Sequence, residues 1–245
     1  MLIYLEKKVK DFPITQSMLS KFVGSSVLEI DNYKNIFDKN IAGETTKSMI
    51  IAWVNNAILE APFWYGHPGK GYFLKNSLNC VYDCKYCYLK GAFKNDTPVF
   101  FVNYEDMKAQ ILDVIAKREN NEVIRFYTSD YSDNLATDTL TNFTSEFFPF
   151  FDTLENVKME IRTKSTNIAN ILKMKPSKNI EIAFSLNPEE IISKYPNITE
   201  TEEAYHYLDL NPEIKWKAYY QKQNGTKFIN IVPFSTNAKV VRGIA

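Results

Sequence analysis

The sequence predicts an α/β protein in which a parallel sheet forms a partial (β/α) barrel behind an N-terminal α/β extension. From residue 72 onward, apolar runs of strand type alternate with longer amphipathic patterns, at the spacing of βαβ units. Polar residues follow the predicted strands, and parallel sheets place their chemistry at the carboxyl ends of the strands. We therefore divide the chain into an extension over residues 1–70 and a barrel over residues 71–245.

The N-terminal extension contains short apolar runs and one helical pattern. Thr15–Phe22 predicts a helix with Thr15 as its N-cap. The glycines and prolines between Pro62 and Gly71 indicate a loop. Strands are predicted at Leu2–Leu5, Val27–Ile30 and Met49–Val54.

The barrel is predicted from five strands with helices between them. The five strands are Tyr72–Leu74, Val123–Tyr127, Val157–Arg162, Ile180–Ser185 and Lys227–Pro233, and Pro98–Val102 is a further extended run. The helices are one capped by Asn103, Thr137–Phe151, Thr166–Met174, one that begins at Asn187 and Pro212–Asn224.

The composition is neutral and gives no global signature of nucleic-acid or membrane binding. Lys plus Arg and Asp plus Glu both number 29, so the formal net charge is zero. The N-terminal residues lack the apolar run of a signal peptide, and no stretch is apolar enough to span a bilayer. Three cysteines without a secretory segment predict a cytoplasmic protein with no disulfide framework and no membrane partner.

All the cysteines of the chain lie close together, at Cys80, Cys84 and Cys87. Thiolates at this spacing can converge on one soft metal centre. A structural zinc takes four ligands, and an all-cysteine iron–sulfur cluster normally takes four thiolates, so three thiolates leave one position open. An open position is more typical of a reactive centre than of a structural one. The alternative is a structural Cys3His zinc site completed by His67.

Longer sequence blocks resemble a known family. The pattern Cys-x-x-x-Cys-x-aromatic-Cys resembles the cluster loop of radical S-adenosylmethionine enzymes. Five blocks in chain order resemble the spore photoproduct lyase family within that superfamily. The overall similarity runs from about residue 2 to about residue 234. The blocks are Tyr86–Leu89, Phe101–Glu105, Arg125-Phe126 with Ser132-Asp133, Arg162–Lys164 and Phe184–Asn187.

This resemblance implies a partial barrel of the radical S-adenosylmethionine type with two cofactors. Cys80, Cys84 and Cys87 are implied to hold a [4Fe–4S] cluster, whose fourth iron binds S-adenosylmethionine. In the family, an external electron donor reduces the cluster, which splits S-adenosylmethionine and yields a 5'-deoxyadenosyl radical. That radical takes hydrogen from a thymine dimer in damaged DNA, and the dimer then fragments.

The resemblance also implies residues for cofactor binding and hydrogen transfer. Tyr86, Ser132, Lys164 and Ser185 match positions that hold S-adenosylmethionine, with the cation of Lys164 reaching the carboxylate of the cofactor. Tyr86 and Tyr88 match tyrosines on the path that returns a hydrogen atom to the product.

Two departures from the family pattern affect the expected reaction. Asp130 stands where the family carries a hydrogen-donating cysteine. Either Tyr88 or Tyr131 replaces that donor, or repair releases side products, or the substrate differs. Asp130 itself could serve as a general acid or base, or accept a hydrogen bond that positions a substrate. The family's sixth strand and late DNA-contacting β-hairpin are not predicted in this sequence, so a second chain could supply them, or the substrate is smaller.

Three functions therefore remain open. The leading one is a radical S-adenosylmethionine lyase acting on damaged DNA or a nucleotide-like substrate. The second is the same radical chemistry on a different substrate, because Asp130 replaces the donor cysteine. The third is a non-enzymatic, zinc-containing nucleic-acid-binding protein. The aromatic and basic run Lys215–Lys222 could stack bases, but we expect it to form a helix with a core face and solvated lysines.

Overall fold

The computed structural model describes most of the chain as strands and short helices. It describes residues 1–39, 47–62, 70–82, 87, 89–119, 121–186, 215–223 and 226–234, with backbone alone at residues 90–91, 184–186, 215–223 and 226–234. The strands are β1 (Leu2–Glu6), β2 (Ser26–Ile30), β3 (Ser48–Ala52), β4 (Ile58–Glu60), β5 (Gly71–Leu74), β6 (Ser77–Leu78), β7 (Val99–Phe101), β8 (Ile124–Thr128), β9 (Val157–Thr163), β10 (Ile180–Leu186), β11 (Lys215–Gln223) and β12 (Thr226–Phe234). The α-helices are α1 (Pro13–Ser20), α2 (Lys34–Phe37), α3 (Leu89–Ala92), α4 (Tyr104–Ala116), α5 (Asp138–Thr141) and α6 (Phe143–Asp152).

The strands form two sheets. The first has the order β2-β1-β3-β7-β6, and its strands are parallel except for β6, which runs antiparallel to β7. The second has the order β11-β12-β10-β9-β8-β5-β4. Its four central strands, β5, β8, β9 and β10, are parallel, as the alternating pattern predicts. The mixed α/β class is confirmed, and the closure of this sheet into a partial barrel stays a prediction.

The two sheets exchange strands across residue 70. β4 precedes that residue and pairs with β5 in the second sheet. β6 and β7 follow it and join the first sheet. The chain therefore enters the second sheet, returns to the first and enters the second again at β8. The division into residues 1–70 and 71–245 stays a prediction.

Aromatic side chains on one face of the second sheet pack against α6. Phe126 on β8 meets Phe151 edge to face, with 5.6 Å between the ring centroids. Phe143, Phe147 and Phe151 recur every four residues along α6 and are all fully buried. Each such ring contributes about 2–3 kcal/mol by leaving water. This packing assigns one face of the sheet to the helices.

Two predicted helices begin or break at other residues. Thr15 does not cap α1, because Phe12 is the N-cap residue and Pro13 opens the helix. The predicted helix Thr137–Phe151 is two helices, because Asn142 adopts a left-handed conformation with φ of 51° between α5 and α6.

The helix predicted over Thr166–Met174 is wrong. Only a single 3-10 turn forms there, at Ile171–Lys173. The asparagine side chains of this segment bond elsewhere: Asn167 donates to the carbonyl of Leu135, and Asn170 donates to the carboxylate of Asp138. The backbone N–H of Asn167 also donates to the hydroxyl of Ser165 at 3.1 Å, and a local bond of this kind competes with a helix. The segment is instead tied to the chain around α5.

The helix predicted over Pro212–Asn224 is also wrong, because residues 215–223 form β11. β11 pairs antiparallel with β12, and β12 pairs antiparallel with β10, so Lys227–Pro233 is a strand but not a parallel one. Gln223 pairs with Thr226, and the sequence between them, Asn-Gly, is one that favours a two-residue hairpin turn. A late antiparallel hairpin is thus present where none was predicted. The helix expected from Asn187 lies outside the described residues.

Among the helices that the structure describes, none combines the length and the apolar character needed to cross a bilayer.

Candidate functional site

The cysteine loop connects two antiparallel neighbours of the first sheet. Cys80 comes two residues after β6, and Cys87 lies just before α3, after which the chain continues to β7. Both side chains are half-buried, and neither forms a disulfide bond. We expected this loop to follow the first barrel strand directly. Instead, after β5 the chain crosses from the second sheet to the first before the cysteines begin.

Two strained backbone positions border the candidate site. Asn79, immediately before Cys80, has φ of 61°, and Ser129, immediately before Asp130, has φ of 72°. Residues other than glycine rarely adopt this left-handed backbone conformation, which costs roughly 1 kcal/mol or more. It persists where surrounding contacts hold the backbone in place. At Asn79 the surroundings do so, because its amide nitrogen donates to the carbonyls of Asn95 and Thr97, at 2.8 and 2.9 Å. These bonds tie the start of the cysteine loop to its end.

Four polar side chains join the start of β6, which leads into the cysteine loop, to the loop after β8, and we call them the strand-end cluster. They are Asn76, Ser77, Ser132 and Asn134. The Oδ1 atom of Asn134 accepts hydrogen bonds from Asn76, Ser77 and Ser132 at 3.1, 3.2 and 3.1 Å. Its amide nitrogen donates to Asn76 at 3.0 Å, and the two serine hydroxyls bond each other. Asn134 is 1 % exposed, so this network holds Ser132 in place without competition from water.

Asp133 joins the loop after β8 to the end of β9. Its carboxylate accepts hydrogen bonds from the hydroxyl of Thr163 at 2.7 Å, the backbone N–H of Lys164 at 2.8 Å and that of Ala136 at 3.0 Å. Burial raises the pKa of Asp133 above its usual range, and the hydrogen bonds from Lys164 and Thr163 oppose that rise. Ser132 and Lys164, which were predicted to share a site, are therefore connected through one buried carboxylate.

Asp130 and Tyr131 occupy the turn between Ser129 and Ser132. Both side chains are half-buried. The ring of Tyr131 packs edge to face on Phe73 of β5, with 6.2 Å between centroids. Burial, and then the nearby charge of Asp130, raise the pKa of Tyr131, so its phenol keeps its proton. A protonated phenol is the form that can give up a hydrogen atom.

Several predicted site residues lie outside the described part of the chain. Cys84, Tyr86, Tyr88 and His67 are among them, and Ser185 is described only by its backbone in β10. Among the residues that are described, no three His, Cys, Asp or Glu side chains form a metal-type group. The cluster ligands, the tyrosine pair and the zinc alternative thus stay predictions.

Sequence reasoning missed Asn76, Ser77 and Asn134. Their signal is position: Asn76 and Ser77 come within three residues of the end of β5, and Asn134 follows the Ser132-Asp133 pair that was already singled out. Small polar residues after buried parallel strands are candidates for a site, even where they match no motif.

A family model described as spore photoproduct lyase matches residues 1–206 of this chain. Solved structures of spore photoproduct lyase are similar in fold. One, complexed with dinucleoside spore photoproduct, gives a TM-score of 0.68 at 15 % identity and covers 96 % of this chain and 90 % of that chain. A double mutant with bound AdoMet and dinucleoside spore photoproduct gives a TM-score of 0.67 at 18 % identity, over 83 % of this chain and 64 % of that chain.

A curated relative with a different name shares a higher sequence identity with this chain, over a shorter stretch than the solved structures cover. The Type II methyltransferase M.AccI of Acinetobacter calcoaceticus is 48 % identical over 125 residues, which are 49 % of this chain. The match spans only 23 % of the length of that methyltransferase.

Proposed function

Because the chain belongs to the spore photoproduct lyase family, we propose that it is a radical S-adenosylmethionine enzyme that abstracts hydrogen from a lesion in DNA. The observation that carries the proposal is the joining of three strand ends. Asn134 ties Ser77 of β6, the strand that leads into the cysteine loop, to Ser132, and Asp133 ties the same turn to Lys164. This network supports a site in which the strand leading to the cysteine loop meets two of the residues implied for S-adenosylmethionine.

The donor set of the chain fits the implied cofactors. Cys80, Cys84 and Cys87 would hold the cluster, and the two described thiols are not consumed in disulfides. When bound and reduced by an external donor, the cluster supplies the electron that cleaves S-adenosylmethionine. Four further residues would bind S-adenosylmethionine, with the ammonium group of Lys164 serving its carboxylate. They are Tyr86, Ser132, Lys164 and Ser185.

Hydrogen return needs a donor other than cysteine. We propose Tyr131 for this role, with Tyr88 as the alternative. Tyr131 adjoins Asp130, the residue at the family's cysteine position, and its raised pKa keeps the O–H bond intact. The phenolic hydrogen would pass to the substrate radical as a whole atom, and Asp130 would accept a hydrogen bond that orients the substrate. The Phe73 ring fixes one edge of Tyr131.

Damaged DNA is the substrate class that we propose. Two of the similar spore photoproduct lyase structures hold dinucleoside spore photoproduct. In this chain, the register of the second sheet places Ser185 beside Asn230, and Asn230 beside Tyr219 of β11. The β11–β12 hairpin therefore extends the row that contains a proposed cofactor residue. β11 contains three lysines and three aromatic residues, a composition suited to phosphates and bases.

The test is anaerobic reconstitution of the full chain with iron and sulfide. We expect a brown protein that releases 5'-deoxyadenosine from S-adenosylmethionine when a reductant is added. It should also convert oligonucleotides carrying the thymine dimer, with deuterium from labelled S-adenosylmethionine tracing hydrogen return. The Cys84→Ala variant should lose both activities. A colourless protein that binds one zinc ion and forms no 5'-deoxyadenosine would contradict the proposal.

A second candidate is the same chemistry on a different base substrate. Two observations favour it: Asp130 replaces the donor cysteine, and the relative with 48 % identity carries the name of a methyltransferase. In this case, 5'-deoxyadenosine would form while the thymine dimer stays intact. Mass analysis of oligonucleotides bearing methylated bases would then identify the product.

A further inference from the structure

The second sheet carries charged residues on the face turned away from α6. Phe126 and Met159 belong to the same apolar cluster as the rings of α6. Side chains alternate between the faces of a strand, so the residues next to these two lie on the opposite face. That face carries Arg125 and Tyr127 on β8, Lys158, Glu160 and Arg162 on β9, and Glu181 on β10.

Two ion pairs organise this face. The Oε1 atom of Glu160 accepts hydrogen bonds from Nε and Nη2 of Arg162, at 2.9 and 2.6 Å. Arg125 reaches across β9 to Glu181, with 2.5 Å between its Nη1 and the carboxylate oxygen. Glu160 and Glu181 are register neighbours, and both are buried. Two buried carboxylates side by side are costly unless each is paired, and the two arginines supply that pairing.

One oxygen on this face is left without a partner. The Oε2 atom of Glu160 is shielded from water and accepts no hydrogen bond. Buried polar atoms are nearly always paired, so an unpaired carboxylate oxygen in a candidate site needs an explanation. The Glu160 side chain is 1 % exposed, whereas the Arg162 side chain, two residues nearer the carboxyl end of β9, is 18 % exposed. Arg162 therefore lies between the buried Glu160 and the loop that holds Lys164.

We propose that Glu160 and Arg162 recognise the imide edge of a thymine ring, with the unpaired Glu160 oxygen accepting the N3–H and the guanidinium donating to the adjacent carbonyl. This inference rests on the proposed function and specifies how the substrate base is selected. A guanidinium carries five N–H donors, more than Glu160 can use. Glu160 is a specificity-determining residue here, not part of the radical chemistry.

The order of donor and acceptor decides which base fits. An ionised carboxylate beside a guanidinium presents an acceptor next to a donor. Thymine presents N3–H next to a carbonyl and matches this order, whereas cytosine presents a bare N3 next to an amino group and reverses it. A base drawn out of the helix is read by hydrogen bonds at this edge. An analogue that cannot supply the N–H leaves a buried oxygen unpaired, which such sites reject strongly.

The experiment compares two single-stranded oligonucleotides that differ by one methyl group. One contains thymidine and the other N3-methylthymidine, and binding to the reconstituted full chain at pH 8 is followed by fluorescence anisotropy. We expect wild-type protein to bind the methylated strand about tenfold more weakly. In the Glu160→Gln variant the amide oxygen still accepts from Arg162, so an NH2 group faces the base and this preference should vanish. The matched control Glu181→Gln removes the neighbouring carboxylate and should keep the preference.

Two outcomes would overturn the inference: no discrimination by wild-type protein, or equal discrimination by wild-type protein and the Glu160→Gln variant. Thermal unfolding establishes that each variant is folded. If Glu160→Gln does not fold, wild-type protein is tested with thymidine and deoxycytidine strands of equal length, and equal affinity counts against the inference. Binding needs no reductant, so this result is independent of 5'-deoxyadenosine formation, which tests the proposed function.

Discussion

The Asp133→Asn substitution should weaken both the stability of the chain and its affinity for S-adenosylmethionine. Asp133 accepts three hydrogen bonds with its two carboxylate oxygens. An asparagine offers one oxygen and one NH2 group. If the oxygen keeps Thr163 and Ala136, the NH2 group faces the backbone N–H of Lys164, and two donors meet. The bond that positions Lys164 is then lost.

The magnitude follows from two opposed effects. Losing a hydrogen bond to a charged acceptor and leaving a buried donor unpaired costs about 3 kcal/mol. Burial raises the pKa of Asp133, so a neutral amide avoids part of the cost of burying a charge. We expect a net loss of about 2 kcal/mol in the free energy of unfolding. For a chain of this size, that loss lowers the Tm by roughly 4–8 °C.

Differential scanning calorimetry measures the Tm, and equilibrium dialysis with labelled S-adenosylmethionine measures the affinity of the reconstituted protein. The matched control is Asp113→Asn, which removes a carboxylate from the exposed side of α4. Asp133→Asn should bind S-adenosylmethionine about tenfold more weakly than the control, a change of 1.4 kcal/mol. If both variants give the same Tm and the same affinity, Asp133 does not organise the site and the reasoning fails.

Three further predictions concern the second sheet. Gly71→Ala should lower the free energy of unfolding by about 1–3 kcal/mol, because the added Cβ would lie 2.8 Å from the ring of Tyr127. Urea unfolding measures this change, and an unchanged midpoint would refute the close approach. Burial raises the pKa of Glu160 from its usual 4.5 to about 7, so folded protein keeps a proton that unfolded protein releases between these values. Stability should therefore fall by up to ~3 kcal/mol as pH rises from about 4.5 to 7, and Glu160→Gln should abolish this slope. Ser129→Gly relieves the left-handed strain but removes the hydrogen bond that the backbone N–H of Asn134 donates to the serine hydroxyl. Because these two effects oppose each other, calorimetry should show a change in the free energy of unfolding within about 1 kcal/mol. The rate of 5'-deoxyadenosine formation should nevertheless drop, because the loop that holds Ser132 is less well fixed.

The predicted strands succeed where one physical cause dominates. Ile180–Ser185 and Val157–Arg162 are apolar or alternating runs between turn residues, and they form β10 and β9 with shifts of one residue. The alternation of strands and helices then places Ser132 and Lys164 at neighbouring strand ends. Local pattern and topology agree in this part of the chain, and the sequence is therefore informative.

The predictions fail where pairing partners distant in sequence decide the structure. Residues 215–223 have apolar positions compatible with a helix, yet β12 offers them a full antiparallel ladder. The signal for this ladder was Asn224-Gly225, which we interpreted as the end of a helix. The strand-end cluster was equally invisible, because Asn76 and Asn134 are 58 residues apart and no local pattern links them. The short strand β6 likewise exists only because β7 lies beside it.

The exchange of strands between the two sheets has a consequence for the order of assembly. The thiols are carried between β6 and β7, whereas Ser132 and Lys164 follow β8 and β9. The proposed cofactor site draws on residues from both sheets, so it would be complete only once both sheets have formed. This differs from a zinc finger, where metal capture drives folding. A fragment that begins at residue 71 would keep β6 and β7 on either side of the thiol loop but would lack β3, the strand that pairs with β7, so the sheet that carries the loop could not form in full.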